Sequence, residues 1–310
     1  MTRAPVLALI PLPAAARAAL AERYQLHEAP ADGKGAVPPW ERIEAVVTNG
    51  TTGLTARQMA QMPALRICCA FGVGYEGVDT AAAAARGIVV TNAPNTNAET
   101  VADHALGFML SLSRDYAGLT AAVRSGGWNG ARAARPTLSG ATLGIIGMGS
   151  IGQAIARRAQ GFGMHIRYHA RHARGELPYE HMGELLSMAA ASDYLVAACP
   201  GGPATRHIVN AQVLRALGPQ GFFVNVARGS VVHTGDLIQA LQRGLIAGAG
   251  LDVLETEPEV PPELLQLANV QITPHVAGRS PVAQAAQTEA LLASLASHFA
   301  GHRPALAVHA

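Results

Sequence analysis

A chain of 310 residues, 49% hydrophobic and 14% charged, is long and apolar enough to bury the cores of two globular domains. Its 23 Lys plus Arg against 21 Asp plus Glu leave a net charge of +2 with no basic run, which excludes the electrostatic footprint of a nucleic-acid binder and points to small-molecule partners. No segment reaches the roughly 18 to 20 uninterrupted apolar residues of a membrane span. Cys68, Cys69 and Cys199 offer neither a CxxC metal spacing nor an even disulfide framework, so a metal-free protein of the reducing cytoplasm is expected.

The first stretch, "MTRAPVLALIPLPAAARAAL", imitates a signal peptide, but Pro11 and Pro13 break its apolar run. It reads better as a strand from Val6 to Ile10 leading through a Pro-bounded turn into a helix. Apolar runs beginning at 45, 66 and 87 complete a first set of four strands. Residues 97–119, "NAETVADHALGFMLSLSRDYAGL", read as one long helix with apolar residues on most faces, packed at a domain junction or in a dimer interface. Six further strands begin at 143, 165, 193, 221, 247 and 269, and another helix follows the last of them. Strands alternating with helices predict parallel sheets covered by helices. The last helix is expected to return to the smaller domain, giving a discontinuous unit of residues 1–96 plus 284–310 and a larger one of 97–283. Pro281 is expected to disturb the start of that helix.

"LGIIGMGSIGQAIARRAQGFG" places Gly147, Gly149 and Gly152 in GxGxxG spacing between a strand and a helix. Gly147 permits the tight turn, Gly149 lets backbone approach a pyrophosphate, and Gly152 allows helix to pack closely on strand. Ser150 and Ile151 open the helix whose positive N-terminus would take the phosphate. Dinucleotide binding is the expectation from this context; the bland alternative is an ordinary glycine turn. The acidic residue expected near the end of the second strand is missing from "MHIRYHARHAR", where Arg171 and Arg174 stand instead. An acid there would repel a 2′-phosphate and a guanidinium would attract it, so the pair argues for NADP; the alternative is two solvated surface arginines. Glu176 is read as too far along to act as the missing acid.

Ligands of open parallel sheets sit beyond the carboxyl ends of the strands. There the fourth, fifth and sixth strands of the second set present Arg228, then Asp252 and Glu257, then His275. A cation, a carboxylate and an imidazole converging on a nicotinamide are what reversible reduction of a 2-keto acid needs.

With "FGVGYEGVD", "LGIIGMGSIG", "VNVARGSVV", "GLDVLETEP" and "TPHVAG" in this order, the chain resembles the D-2-hydroxyacid dehydrogenase family, and within it the NADPH-dependent glyoxylate/hydroxypyruvate reductase branch. The resemblance implies an α/β fold of two domains, a Rossmann doubly wound parallel sheet for the cofactor and a smaller flavodoxin-like substrate domain. It implies NADPH-dependent reduction of small 2-keto acids to D-2-hydroxy acids; the surplus apolar surface of residues 97–119 separately leads to the expectation of a homodimer held by that helix. Arg228 would grip the substrate carboxylate and polarise the keto oxygen, His275 would protonate that oxygen, and Glu257 would orient His275 and favour its protonated form. Val73 and Gly74 would hold the substrate carboxylate through backbone N–H groups, with Phe71 lining the pocket or the core and Arg279 at the pocket mouth. Asp252 would meet the nicotinamide carboxamide, unless its role is structural. Cys199, Pro200, Thr205, Val226, Ala227 and Gly278 would line the cofactor. Many reductases of this branch have a serine where Gly278 stands, so one substrate contact is lost or replaced. Trp128 is expected to pack rather than bind. A nucleotide-sensing regulator of the same fold is the competing class; such a protein is expected to carry extensions outside the two domains, and none is visible here.

Overall fold

The computed structural model describes residues 3–29 and 39–308, in two compact units: Met1–Asn97 with Arg279–Ala310, and Ala98–Gly278. In the first unit, strands β1 (Pro5–Ala8), β2 (Gln25–Glu28), β3 (Ala45–Thr48), β4 (Ile67–Ala70) and β5 (Val89–Thr91) form a parallel sheet in the order β2-β1-β3-β4-β5. That is the flavodoxin-like order. "AVVT" and "ICCA" are buried at every position because both faces of the sheet are covered. The covering helices are α1 (Ala14–Arg23), α2 (Ala56–Ala60), α3 (Thr80–Ala85) and the C-terminal α11 (Pro281–Phe299). Pro281 does not disturb α11. It occupies the first helical position behind Ser280, whose hydroxyl accepts the Ala283 N–H, and a proline there gives up only an N–H the helix could not use.

The second unit holds helices α4 (Ala98–Arg114) and α5 (Tyr116–Arg124) and a seven-stranded parallel sheet. Its strands are β6 (Thr142–Ile146), β7 (His165–His169), β8 (Glu180–His181), β9 (Tyr194–Ala197), β10 (Phe222–Asn225), β11 (Gly248–Leu251) and β12 (Val270–Ile272), in the order β12-β11-β10-β9-β6-β7-β8. Helices α6 (Ser150–Gly161), α7 (Leu185–Ala190), α8 (Ala211–Leu217), α9 (Thr234–Gln242) and α10 (Pro262–Leu265) complete it. The strand order reverses between β6 and β9, the switch point at which doubly wound sheets open a crevice.

Residues 97–119 are not one helix. Asp115 adopts a left-handed φ of 53°, ends α4 and caps α5 by accepting the Gly118 N–H. The apolar surface of α4 is covered inside its own unit: Val101, Ala102, Ala105, Phe108 and Met109 join Leu143, Ile155 and Val224 in one core cluster. The uncovered apolar side chains lie beyond it, with Tyr116 54% and Trp128 64% exposed, so Trp128 does not pack as expected. Two short strands escape the sequence reading, β2 and β8, both with partly or fully exposed polar positions at sheet edges.

Candidate active site

The carboxyl end of β6 runs into the glycine turn and from there into α6. Gly147 has a φ of 93°, and a Cβ on it would lie 2.6 Å from the Cys199 Cα; a Cβ on Gly152 would lie 2.2 Å from the Gly147 oxygen. Both positions therefore demand glycine for packing. Gly149 differs: its added Cβ would meet open space, and as the N-cap of α6 it offers no side chain to the first-turn N–H groups of Ser150, Ile151 and Gly152. A helix N-terminus left uncapped beside a cradle that a methyl group would fill suits a pyrophosphate.

The Gly147 N–H donates to the His169 carbonyl, which brings the end of β7 beside the turn. Beyond it, Arg171 is exposed and makes no hydrogen bond or ion pair among the described residues. Arg174 is committed: it donates to the Met148 carbonyl at 2.9 Å and pairs with Glu176 at 2.8 Å. Glu176, read from the sequence as too remote, reaches this corner through Arg174. A hydrogen bond from its own backbone N–H, then the Arg174 hydrogen bond and charge, hold its carboxyl below the usual range.

After β9, burial pushes the Cys199 thiol up to about 11, so it packs as a neutral group. The Thr205 hydroxyl donates to the Pro200 carbonyl at 2.7 Å, closing the loop on itself. After β10, Val226 and Ala227 are buried, the Ala227 N–H donates to Asn225 Oδ1, and the Asn225 amide donates to the Arg228 carbonyl. Arg228 donates to the Ala227 carbonyl at 2.6 Å, and a Cβ on Gly201 would lie 2.8 Å from its Cγ, so its stem rests on the β9 loop. His207, on the far side of that loop, pairs with Glu255 at 2.6 Å, and Glu255 also accepts the Thr234 N–H. This tie between the loops after β9, β10 and β11 had no motif to announce it.

His275 Nδ1 lies 2.8 Å from Glu257 Oε2, and Glu257 Oε1 accepts the Leu254 N–H at 2.9 Å. Burial alone would raise the Glu257 carboxyl. The hydrogen bonds from His275 and Leu254 and the charges of His275 and Arg228 outweigh it and hold the group below the usual carboxylate range. An ionised Glu257 accepts the Nδ1–H, leaving His275 Nε2 to exchange protons. Asp252 is 3% exposed, and its carboxylate accepts the N–H groups of Val276 and Ala277 at 2.8 and 2.9 Å and the Thr273 hydroxyl at 2.6 Å. That is a structural clamp on the "TPHVAG" segment, in which Gly278 is partly buried.

In the first unit, Phe71 leads from β4 and is half-buried against the core of Val6, Val47 and Leu295. The Val73 carbonyl accepts the Asn92 amide at 2.7 Å, which fixes the loop, while the N–H groups of Val73 and Gly74 have no acceptor among the described residues. Arg279 is exposed at the first residue of the returning segment.

A parallel sheet with a glycine turn at its switch point and an Arg, Glu and His set at the ends of three neighbouring strands defines a dinucleotide-dependent oxidoreductase. Residues 106–277 match the D-isomer specific 2-hydroxyacid dehydrogenase, NAD binding domain, and the chain belongs to that family. It is 40% identical over 260 residues to the glyoxylate/hydroxypyruvate reductase A of Arabidopsis thaliana, spanning 84% of this chain and 83% of the relative. It is 39% identical over 262 residues to the hydroxyphenylpyruvate reductase of Plectranthus scutellarioides, spanning 84% of each. Among solved structures, an NADPH-dependent glyoxylate/hydroxypyruvate reductase from Sinorhizobium meliloti in complex with NADP and malonate superposes with a TM-score of 0.91 at 39% identity, covering 99% of this chain and 97% of that one. A 2-hydroxyacid dehydrogenase from Ketogulonicigenium vulgare also gives 0.91, at 33% identity and 100% and 99% coverage.

Proposed function

We propose that this protein reduces small 2-keto acids, glyoxylate and hydroxypyruvate first among them, to D-2-hydroxy acids with NADPH. The observation that carries the reading is the His275–Glu257 pair at 2.8 Å, an imidazole oriented by an ionised carboxylate with its second nitrogen uncommitted. With its pyrophosphate at the glycine turn, a bound reduced dinucleotide would supply hydride to the keto carbon. His275 Nε2 delivers the proton to the keto oxygen, Glu257 stabilises the charged imidazole while it waits, and Arg228 holds the substrate carboxylate and polarises the carbonyl. In the other unit, we assign the N–H groups of Val73 and Gly74 to the substrate carboxylate, and Phe71 and Arg279 to the substrate. Met1–Asn97 with Arg279–Ala310 is thus the substrate domain.

For the cofactor, the turn residues Gly147, Gly149, Ser150, Ile151 and Gly152 hold the pyrophosphate. Asp252, Cys199, Pro200, Val226, Ala227 and Gly278 face the remainder, with Thr205 contributing through its loop. The preference for NADPH rests on Arg171, whose guanidinium is uncommitted, with Arg174 assisting. Three free, buried thiols suit the reducing cytoplasm. We assign the homodimer contact to the exposed Tyr116, Val123 and Trp128 rather than to α4, whose apolar face is already covered.

NADPH and NADH oxidation with glyoxylate, hydroxypyruvate, pyruvate and phenylpyruvate tests the reading. Turnover of the two smaller acids with NADPH is expected. Tight nucleotide binding without turnover of any acid would overturn it in favour of a nucleotide-sensing regulator.

A further inference from the structure

His275 sits at a φ of 53°, a left-handed conformation that a residue with a side chain keeps only where its neighbours over-determine it. Here the neighbours are hydrogen bonds to Asp252. The Asp252 carbonyl accepts the His275 N–H at 2.9 Å, and its carboxylate accepts those of Val276 and Ala277. The orientation of this carboxylate therefore sets the turn that presents the imidazole.

What orients the carboxylate is a polar relay from α4. Thr273 Oγ1 lies 2.6 Å from Asp252 Oδ1 and 3.0 Å from His104 Nε2. A carboxylate has no proton to give, so the single hydroxyl hydrogen of Thr273 points to Asp252, and its oxygen is left to accept from His104. The His104 ring therefore carries a hydrogen on Nε2. Its plane is set by Phe108, one turn along α4, with ring centroids 4.7 Å apart and planes at 89°. Nε2 is also 3.8 Å from Asp252 Oδ1, and no lysine or arginine pairs with this buried carboxylate among the described residues. Every bond of the relay lies within Ala98–Gly278.

We propose that His104 and Thr273 are positioning residues for keto-acid reduction: the relay from His104 through Thr273 to Asp252 locks the left-handed turn that aims His275. The inference rests on reading His275 as the acid. Its action is on orientation, so it predicts a loss in kcat with little change in KM for the keto acid.

The test uses the full chain as Thr273→Val, Thr273→Ser, His104→Leu and His104→Gln, where serine keeps the hydroxyl and glutamine keeps a side-chain N–H donor. Losing a hydrogen bond to a buried charge should lower kcat about tenfold or more in Thr273→Val and less in His104→Leu, with KM within about twofold. The serine and glutamine variants should recover kcat to within about twofold of wild type. The imidazole NMR signals of His275 in the uncomplexed protein provide a second readout, displaced in the valine and leucine variants and restored in the other two. Wild-type kcat and unmoved His275 signals in Thr273→Val would overturn the proposal, as would equal damage in Thr273→Ser and Thr273→Val. Wild type without turnover would instead sink the reading of the enzyme, while the His275 signals would still judge the relay.

Discussion

At the end of β6 the decisive residues are glycines, and what matters is the atoms they lack; at the end of β12 the decisive atoms are polar, and each is held by another. The glycine turn achieves its shape by steric permission at Gly147 and Gly152 and leaves space at Gly149. The histidine loop is held in a left-handed turn by a buried carboxylate with three donors, and its imidazole is held by a second carboxylate. A site made by absence tolerates no added atom. A site made by pairing tolerates replacements that keep the donors and acceptors.

Removing the proposed proton donor breaks the second region most severely. His275→Ala should lower kcat/KM for glyoxylate by about a hundredfold to ten-thousandfold at every pH, the usual range for a positioned general acid, and steady-state assays across pH check it. At the glycine turn the contrast lies between neighbours. Gly152→Ala drives a methyl into the Gly147 backbone oxygen and should destabilise the protein by about 1–3 kcal/mol. Gly149→Ala should unfold at the wild-type temperature and lose nucleotide affinity alone. Thermal unfolding without nucleotide, paired with calorimetric titration of NADP, separates them; equal unfolding temperatures for the two variants would break the distinction.

Arg171→Ala sharpens the cofactor end. A charge-assisted contact is worth about 1.5–3 kcal/mol, so the proposed NADPH over NADH preference in kcat/KM should fall roughly ten- to a hundredfold. Arg174→Ala should change it less, because that guanidinium already serves Met148 and Glu176. Equal use of both cofactors by wild type would contradict the assignment.

How much of each region was legible follows from the range of its interactions. Glycine spacing is a local pattern, and Gly147, Gly149 and Gly152 carry it within six residues. Arg228, Glu257 and His275 were legible because each closely follows a strand of alternating β and α pattern. The clamp was not, since Asp252 meets Thr273, Val276 and Ala277 across 21 to 25 residues and His104 meets Thr273 across 169. Asp252 was therefore read toward the cofactor or in a structural role, with no sign of which partners would hold it. The break at Asp115 left a local sign, an Asp three residues before Gly118, that the apolar continuity of residues 97–119 concealed. Strand β2 was missed because its four residues, "QLHE", show no apolar run.

The smallest effect expected lies on the outside of the dinucleotide unit, where Glu99 on α4 pairs with Arg157 and Arg158 on α6. The Arg158 hydrogen bond leads the interactions that hold the Glu99 carboxyl below its usual range. A depressed carboxyl stabilises the fold above its unfolded pKa and loses that contribution as pH falls through the folded value. Glu99→Gln should therefore cost about 0–1 kcal/mol near neutrality, and less at high salt, with the gap closing on acidification. Urea unfolding at several pH values measures it.

The alkaline limb of kcat/KM for NADPH-dependent glyoxylate reduction, compared between wild type and Glu257→Gln, tests the coupling of acid to carboxylate most directly. Reduction consumes a proton, so activity falls as pH rises. Glu257 is held ionised by its surroundings and favours the charged imidazole, and a neutral amide of the same shape withdraws that support. The limb should move to lower pH in Glu257→Gln. A limb that stays where wild type has it would show that the carboxylate is not coupled to the proton donor, and the account of His275 would be wrong.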